Sequence, residues 1–199
     1  MADAAVGSAD HAGFDPDLRI DWLEPAQLGD DLPGRLGLTI LPGKHGASFR
    51  YPGRVYRRDT DADLAMLRAA GVERLILLVD DAELAKWGDP AIVERGAAAG
   101  VRVDRFPIAD GRPPASLGEL RSILAAIREG RASTNVAVAC MGGVGRSGTV
   151  AACALVEGGA SADAAITTVR GVRHPTAVET KEQERFVSSF ADDQAGRRR

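Results

Sequence analysis

The sequence N-V-A-V-A-C-M-G-G-V-G-R-S-G-T, residues 135–149, decides how the centre of this chain folds. Residues 136–139 are a short apolar run bounded by polar residues, which predicts a fully buried strand. Residues 149–156 are apolar over a longer stretch, which predicts a buried helix. The segment between them therefore connects the end of a strand to the N-terminus of a helix.

The connecting loop consists of Cys140, Met141, Gly142, Gly143, Val144, Gly145 and Arg146. Free backbone N–H groups and the positive end of the helix dipole favour an anion at a helix N-terminus, and glycines let the main chain wrap closely around it. The same field stabilises a thiolate and lowers a cysteine pKa from about 8.5 into the reactive range. The loop thus has the composition of a phosphate-binding site that begins with a nucleophile.

Three other interpretations fit parts of this loop. Residues 143–148 satisfy G-x-G-x-x-G, but a dinucleotide site needs a following parallel strand that ends in an acid, and the pattern here is helical through residue 169. Residues 143–149 have the glycine spacing of a nucleotide P-loop, but Thr149 stands where that motif needs lysine. A glycine-rich turn with a buried cysteine would leave Arg146 without a task.

The loop resembles the signature H-C-x5-R-[ST] of the cysteine-dependent protein phosphatases, and G-G-x-G-R-S-G-T resembles their dual-specificity class. The segment P-I-A-D-G-R-P-P at residues 107–114 closely resembles the general-acid loop of the kinase-associated phosphatase, or cyclin-dependent kinase inhibitor 3, family. Residues 36–44 and 150–153 look similar to that family too. The resemblance spans residues 36–190.

The resemblance implies both a fold and an activity. The fold is α/β, with a central, mostly parallel twisted sheet flanked by helices on both faces. The activity is hydrolysis of phosphomonoesters through a phosphocysteine intermediate, with no cofactor and no metal.

The resemblance, together with residue chemistry, assigns candidate roles to five residues. The Cys140 thiolate attacks phosphorus, and the planar fork of Arg146 binds the oxygens that become more negative in the transition state. Asp110 protonates the leaving oxygen and later accepts a proton from water. Ser147 lies where the family hydroxyl assists thiolate departure, and it also fits an N-cap. Gln183 is a candidate for orienting the attacking water, and a surface glutamine on a helix is its alternative.

Five further positions bear on the mechanism. Asp104 is a rival acid but lies within a strand pattern. Arg112 is a candidate substrate contact or a solvated surface residue. Ala139 replaces the histidine that usually precedes the nucleophile, so we expect an active but less finely tuned enzyme. Glu179 replaces the first glutamine of the family's A-I-Q-T-x-x-Q, and Cys153 either protects the nucleophile as a disulfide or fills the core.

Strand and helix patterns alternate along the body of the chain, as a doubly wound sheet requires. Strands are predicted at residues 36–41, 72–79 and 101–106, in addition to the strand before the loop. Helices are predicted at residues 61–70, 90–99, 161–170 and 180–191, after the phosphate-binding loop up to residue 157, and after the capping box of Ser116 and Glu119.

Length, composition and charge predict one domain with a distinct N-terminal segment. The chain has 199 residues and 45% hydrophobic content, enough for a sizeable core. Residues 1–31 hold 8 acids and 1 base, whereas residues 32–199 hold 20 acids and 24 bases. We expect an acidic, partly flexible segment at 1–31, a phosphatase domain at 32–192 and a flexible tail at 193–199. The basic body suits an anionic substrate.

The expected partner is a phosphorylated protein or a small phosphomonoester such as a nucleotide, sugar or inositol phosphate, and a phosphate-binding pseudophosphatase is the alternative. We expect no membrane partner, because the chain has neither an 18-residue apolar run nor a basic region followed by an apolar core at its start. We expect no nucleic-acid partner, because bases and aromatics are not interleaved. Two cysteines without metal-ligand spacing, one of which must stay reduced, indicate the cytoplasm. The oligomeric state is left open.

Overall fold

The computed structural model describes residues 17–48 and 50–197. The strands are β1 (Ile20–Leu23), β2 (Leu36–Ile40), β3 (His45–Ala47), β4 (Val55–Arg57), β5 (Val72–Leu77), β6 (Arg102–Arg105) and β7 (Asn135–Cys140). The helices are α1 (Pro25–Leu28), α2 (Thr60–Ala69), α3 (Asp81–Trp87), α4 (Ile92–Ala98), α5 (Leu117–Arg131), α6 (Arg146–Glu157), α7 (Ala162–Val172) and α8 (Lys181–Arg197).

Strand β7, which ends in Cys140, lies at the centre of a five-stranded sheet with the order β1-β2-β7-β5-β6. It runs parallel to both neighbours, β2 and β5, and β6 extends the parallel set. Strand β1 pairs antiparallel with β2 at the edge. The carboxyl ends of the parallel strands therefore meet at one edge of the sheet, which is where open α/β sheets bind their ligands.

Helices cover both faces of the sheet, as the alternation of side chains in each strand demands. In β7, Val136 and Val138 pack into a core with residues of α5, α6, α7 and α8. Ala137 and Ala139 pack into a second core with residues of α2, α3 and α4. The predicted α/β fold with a mostly parallel sheet is therefore confirmed.

The helix that starts at the loop is buried nearly all round. Every residue of α6 from Arg146 to Val156 is buried. At its far end, Gly158 contacts Gly29, and a Cβ built on Gly158 would lie 1.9 Å from the carbonyl oxygen of Leu28. The helix is thus held along its length, which fixes the position of its N-terminus.

Some elements were absent from the sequence prediction. They are helix α3, the strands β3 and β4 of the short hairpin, strand β1 and helix α1. Each of these single elements has seven residues or fewer, so its sequence gives only a weak periodic signal. Strand β1 and helix α1 place the end of the expected acidic segment inside the folded domain, so the domain starts before the predicted residue 32. Residues 1–16 of that segment lie outside the described residues.

At the C-terminal end, too, the folded part of the chain extends further than the sequence predicts. Helix α8 continues to Arg197, so the described part of the expected flexible tail is helical, and residues 198–199 lie outside the description. In the described parts of the chain, no helix has the length and hydropathy needed to cross a membrane.

Candidate active site

Cys140 is held at the centre of the sheet, at the carboxyl edge, and is 3% exposed. Burial by itself raises the pKa of its thiol. The nearby Arg146 charge, the Ser147 side chain and the backbone N–H groups of Ser147 and Gly142 outweigh burial, so the pKa of Cys140 lies below its ordinary value. The surroundings of Cys140 therefore favour the thiolate over the thiol.

In the loop after Cys140, the carbonyl oxygen of every residue from 141 to 145 accepts a hydrogen bond on the side away from the anion position. Lys44 Nζ donates to the oxygen of Met141 at 3.1 Å. Arg173 donates to the oxygens of Gly142 and Gly143. The oxygen of residue 144 accepts from a backbone N–H at 3.2 Å, and that of residue 145 accepts from the backbone and side chain of Thr149. With the carbonyls turned away, the amide N–H groups face the anion position.

Glycine is required at two points of this loop. Gly143 has a φ of 66°, and a Cβ there would lie 2.3 Å from the backbone oxygen of Thr39. A Cβ on Gly145 would lie 2.2 Å from a carboxylate oxygen of Glu179. The loop can therefore approach β2 and residue 179 only without side chains at these positions.

The Arg146 side chain is almost fully buried and is fixed by three groups. Its Nη1 and Nη2 donate to the two carboxylate oxygens of Glu83, each at 2.7 Å. Nη1 also donates to the oxygen of Ile108 at 2.9 Å, and Nη2 lies 3.0 Å from Asp110 Oδ1. Burial lowers the pKa of this guanidinium, but Glu83, the Cys140 thiolate and Asp110 outweigh burial and raise it. Arg146 therefore remains a cation beside the nucleophile.

Glu83 contacts a candidate catalytic residue and was not predicted from the sequence. It lies in α3, whose N-cap Asp80 accepts a hydrogen bond from Glu83 N while Glu83 Oε2 accepts one from Asp80 N. This reciprocal capping box requires the spacing D-x-x-E, which is visible in the sequence. That signal would have revealed the helix, but not that the same carboxylate reaches Arg146.

Asp110 lies at the mouth of the site, and its side chain is 83% exposed. Its loop is tied to the start of α8 by Thr180 Oγ1, which donates to the oxygen of Gly111 at 3.1 Å. Asp110 lines the same cleft as Cys140 and Arg146. The structure therefore places the candidate acid in the same cleft as the candidate nucleophile. One carboxylate oxygen of Asp110 contacts the guanidinium of Arg146.

Gln183 is buried and joins two loops. Its Oε1 accepts from the backbone N–H groups of Glu179 and Thr180, and its Nε2 donates to the oxygen of Arg112 at 3.3 Å. A Cβ on Gly145 would lie 3.3 Å from this Nε2, so the amide lies next to the phosphate-binding loop. The expected alternative of a surface glutamine is wrong, because Gln183 is fully buried.

Ser147 is also buried, and its Oγ has no hydrogen-bond partner within the described residues. Its side chain lowers the pKa of Cys140, which agrees with a hydroxyl that lies beside the sulfur. The alternative role of Ser147 as a helix N-cap is wrong, because α6 begins at Arg146 and its N-cap is Gly145.

Three other predicted positions lie outside the cleft. Arg112 pairs with Glu182 on the surface, and its contact with substrate stays a prediction. Asp104 pairs with Arg74 and Arg102 on β6, which agrees with its rejection as the acid. Cys153 is a free thiol in the core, and burial raises its pKa.

The active cleft has a volume of about 420 Å³, and the β3–β4 hairpin and its turn contribute several of its lining residues. From that region come Ser48, Arg50, Tyr51, Arg54 and Tyr56. Glu179, which replaces a glutamine of the motif, forms an ion pair with Arg50 across the cleft. Within the described residues, no group of three His, Cys, Asp or Glu side chains is arranged as metal ligands.

Comparison with known families identifies related sequences. A family model described as cyclin-dependent kinase inhibitor 3 matches residues 11–166. The proteins called cyclin-dependent kinase inhibitor 3 from Homo sapiens and Rattus norvegicus are each 29% identical over 179 residues, which is 88% of this chain and 79% of each relative.

Solved structures agree with this match. Kinase-associated phosphatase, with its catalytic-site cysteine changed to serine, is similar with a TM-score of 0.77 and 26% identity, covering 90% of this chain and 97% of that one. Tk-PTP in its active form is similar with a TM-score of 0.64 and 30% identity, covering 81% of this chain and 94% of that one. The buried Cys140 corresponds to the catalytic cysteine of kinase-associated phosphatase.

Proposed function

Since the chain belongs to the cyclin-dependent kinase inhibitor 3 family of cysteine-dependent phosphatases, we propose that it removes phosphate from phosphorylated side chains of a protein. The phosphatase activity and the family that the motifs predict are confirmed by these relatives. The choice of a protein substrate is supported by the names of the relatives, one of which is called kinase-associated phosphatase.

The proposed reaction has two steps on one loop. The Cys140 thiolate forms a bond to phosphorus while the bond to the leaving oxygen breaks and Asp110 gives that oxygen a proton. Water then attacks the phosphocysteine, Asp110 takes a proton from the water, and the phosphorus–sulfur bond breaks to release phosphate. The Arg146 fork and the loop amides stabilise the charge on the transferred group in both steps.

Ser147 and Gln183 assist the second step in this proposal. The Ser147 hydroxyl, buried without another partner, donates to the departing sulfur and makes the thiolate a better leaving group. Gln183 lies beside Gly145, where its Nε2 contributes to the position of the attacking water.

Two features of the loop together support the mechanism most directly. The loop carbonyls form hydrogen bonds away from the anion position, and the pKa of Cys140 is lowered. A phosphate group needs inward-facing N–H donors, and a phosphocysteine mechanism needs a thiolate at neutral pH. We place the enzyme in the cytoplasm, because Cys140 is a free thiol and its chemistry needs a reducing compartment.

The experiment compares kcat/KM for phosphotyrosine, phosphothreonine and phosphoserine peptides with that for nucleotide, sugar and inositol phosphates. We expect the peptides to be preferred, with activity retained in excess chelator and competitive inhibition by vanadate, since amides and Arg146 hold the phosphate. A clear preference for a small phosphate would overturn the protein substrate. Activity lost on chelation and restored by a divalent metal would overturn the mechanism.

A further inference from the structure

We propose that Arg173 is a positioning residue that orients the amides of the phosphate-binding loop, and that Asp21 of the N-terminal strand orients Arg173. This inference rests on the proposed phosphocysteine mechanism and adds two residues to it. Neither residue belongs to the loop motif or to the acid loop.

Arg173 lines the active cleft and bonds the carbonyls of the loop through two of its nitrogens. Its Nε donates to the oxygen of Gly143 at 2.9 Å, and its Nη2 donates to the oxygen of Gly142 at 3.0 Å. The side chain is 9% exposed, so it is held against the loop rather than in solvent. A planar guanidinium suits this task because its donors diverge at fixed angles.

These two bonds set the direction of two N–H groups. A peptide unit is planar, so fixing the carbonyl of Gly142 also fixes the N–H of Gly143 on the opposite side. The carbonyl of Gly143 fixes the N–H of Val144 in the same way. A cation bonded to a carbonyl also polarises the peptide, which makes its N–H a stronger donor. Arg173 therefore turns two donors toward the phosphate and strengthens them.

Asp21 completes the arrangement from the edge of the sheet. Arg173 Nη1 donates to Asp21 Oδ2 at 2.6 Å, and this carboxylate is 13% exposed. The other oxygen of Asp21 accepts from Arg19 Nε at 2.8 Å. Asp21 lies in β1, which is hydrogen-bonded to β2 and so has a fixed position. The N-terminal strand thereby acts on the active loop through one ion pair.

The chain offers a matched control for this interaction. Arg131 is also buried, donates from Nε to the oxygen of Gly34 at 2.8 Å, and forms a two-point ion pair with Asp30. It lies outside the active cleft. Loss of Arg131 therefore removes the same kinds of bonds as loss of Arg173, without touching the phosphate-binding loop.

The test uses Arg173→Met, Arg173→Lys, Asp21→Asn and the control Arg131→Met in the full chain. The measurements are the Kd of vanadate, the pH dependence of Cys140 alkylation, kcat/KM for an aryl phosphate, and Tm. We expect Arg173→Met to weaken vanadate binding and lower kcat/KM by about a hundredfold, the loss that follows from a misplacement of about 1 Å. It should also raise the pH at which Cys140 becomes reactive. Arg173→Lys and Asp21→Asn should show smaller changes in the same direction.

Arg131→Met should lower Tm and leave vanadate binding and the alkylation profile unchanged. If Arg173→Met behaves like Arg131→Met, Arg173 has only a structural role and the proposal is wrong. If Arg173→Met does not fold, Arg173→Lys and Asp21→Asn decide the question, and wild-type values for both would overturn it. Failure of the wild-type protein to bind vanadate and to react at Cys140 would instead refute the proposed mechanism.

Discussion

The phosphate-binding loop and the acid loop lie side by side, but they are held in opposite ways. Cys140 is 3% exposed, and each carbonyl of the five residues after it is bonded. Asp110 is 83% exposed, and its loop is anchored by Ile108 on one side and by Thr180 and Gln183 on the other. One loop is part of the core, whereas the other is attached to it at a few points.

This difference matches what the two loops do. The transferred phosphoryl group is the same in every substrate, so its site gains from rigid donors that need no reorganisation. The leaving group varies between substrates, and the acid that protonates it must then take a proton from the attacking water. Arg146 joins the two loops, because it contacts both the oxygen of Ile108 and the carboxylate of Asp110.

The largest effect is expected from Cys140→Ser. The cradle of amides and Arg146 remains, but a serine hydroxyl is not ionised near neutral pH, so turnover should be abolished while binding of a phosphate ester such as a phosphopeptide is retained. Steady-state turnover and equilibrium binding measure the two parts separately. Substantial turnover by the variant would point to a different nucleophile, and the same change at Cys153 is the control that should leave turnover intact.

Asp110→Asn should have the next largest effect on the rate, and the size of this effect should depend on how much protonation the leaving group needs. We expect a loss of about a hundred- to ten-thousandfold for an alkyl or weakly acidic phenyl phosphate, the usual value of general acid catalysis. The loss should be much smaller for the ester of a strongly acidic phenol, whose oxygen needs little protonation. Single-turnover rates on both esters provide the comparison, and equal losses would refute the acid role.

The smallest effect is expected from Thr180→Val, which keeps the shape of the side chain. It removes the hydrogen bond to the oxygen of Gly111 and the one that Thr180 Oγ1 accepts from Gln183 N, and so loosens the acid loop and the first turn of α8. We expect a several-fold loss in single-turnover rate on the poor leaving group, with vanadate affinity unchanged. Thr168→Val, which removes an exposed helix bond to Ala164, is the matched control. Weaker vanadate binding in Thr180→Val would mean that the two loops are not independent.

The sequence predicts the sheet centre and the chemical residues because their signals are local. The apolar run before Cys140 and the glycines after it are contiguous, and the structure places Cys140, Arg146 and Asp110 in one cleft as the motifs imply. The bounds of the predicted helices agree within a few residues, except that α8 continues six residues beyond the predicted end at 191. These features depend on neighbours in the chain, which the sequence displays directly.

The residues that hold the site in place could not be predicted in this way. Glu83 and Arg173 act on the loop from 63 and 30 or 31 residues away. A long-range ion pair leaves no periodic trace, and a charged residue is usually exposed, so nothing in the pattern distinguishes Arg173 from a surface arginine.

The central place of β7 has a consequence for the order in which this protein folds. Strand β7 separates β2 from β5, so these two strands cannot join one sheet until residues 135–140 have been synthesised. The pairing of Leu36 with Val136 closes a loop of about a hundred residues, which makes sheet formation a late and costly event. The last strand to complete the sheet also carries Cys140. A nascent chain therefore acquires its nucleophile in the same step that joins β2 to β5 in one sheet.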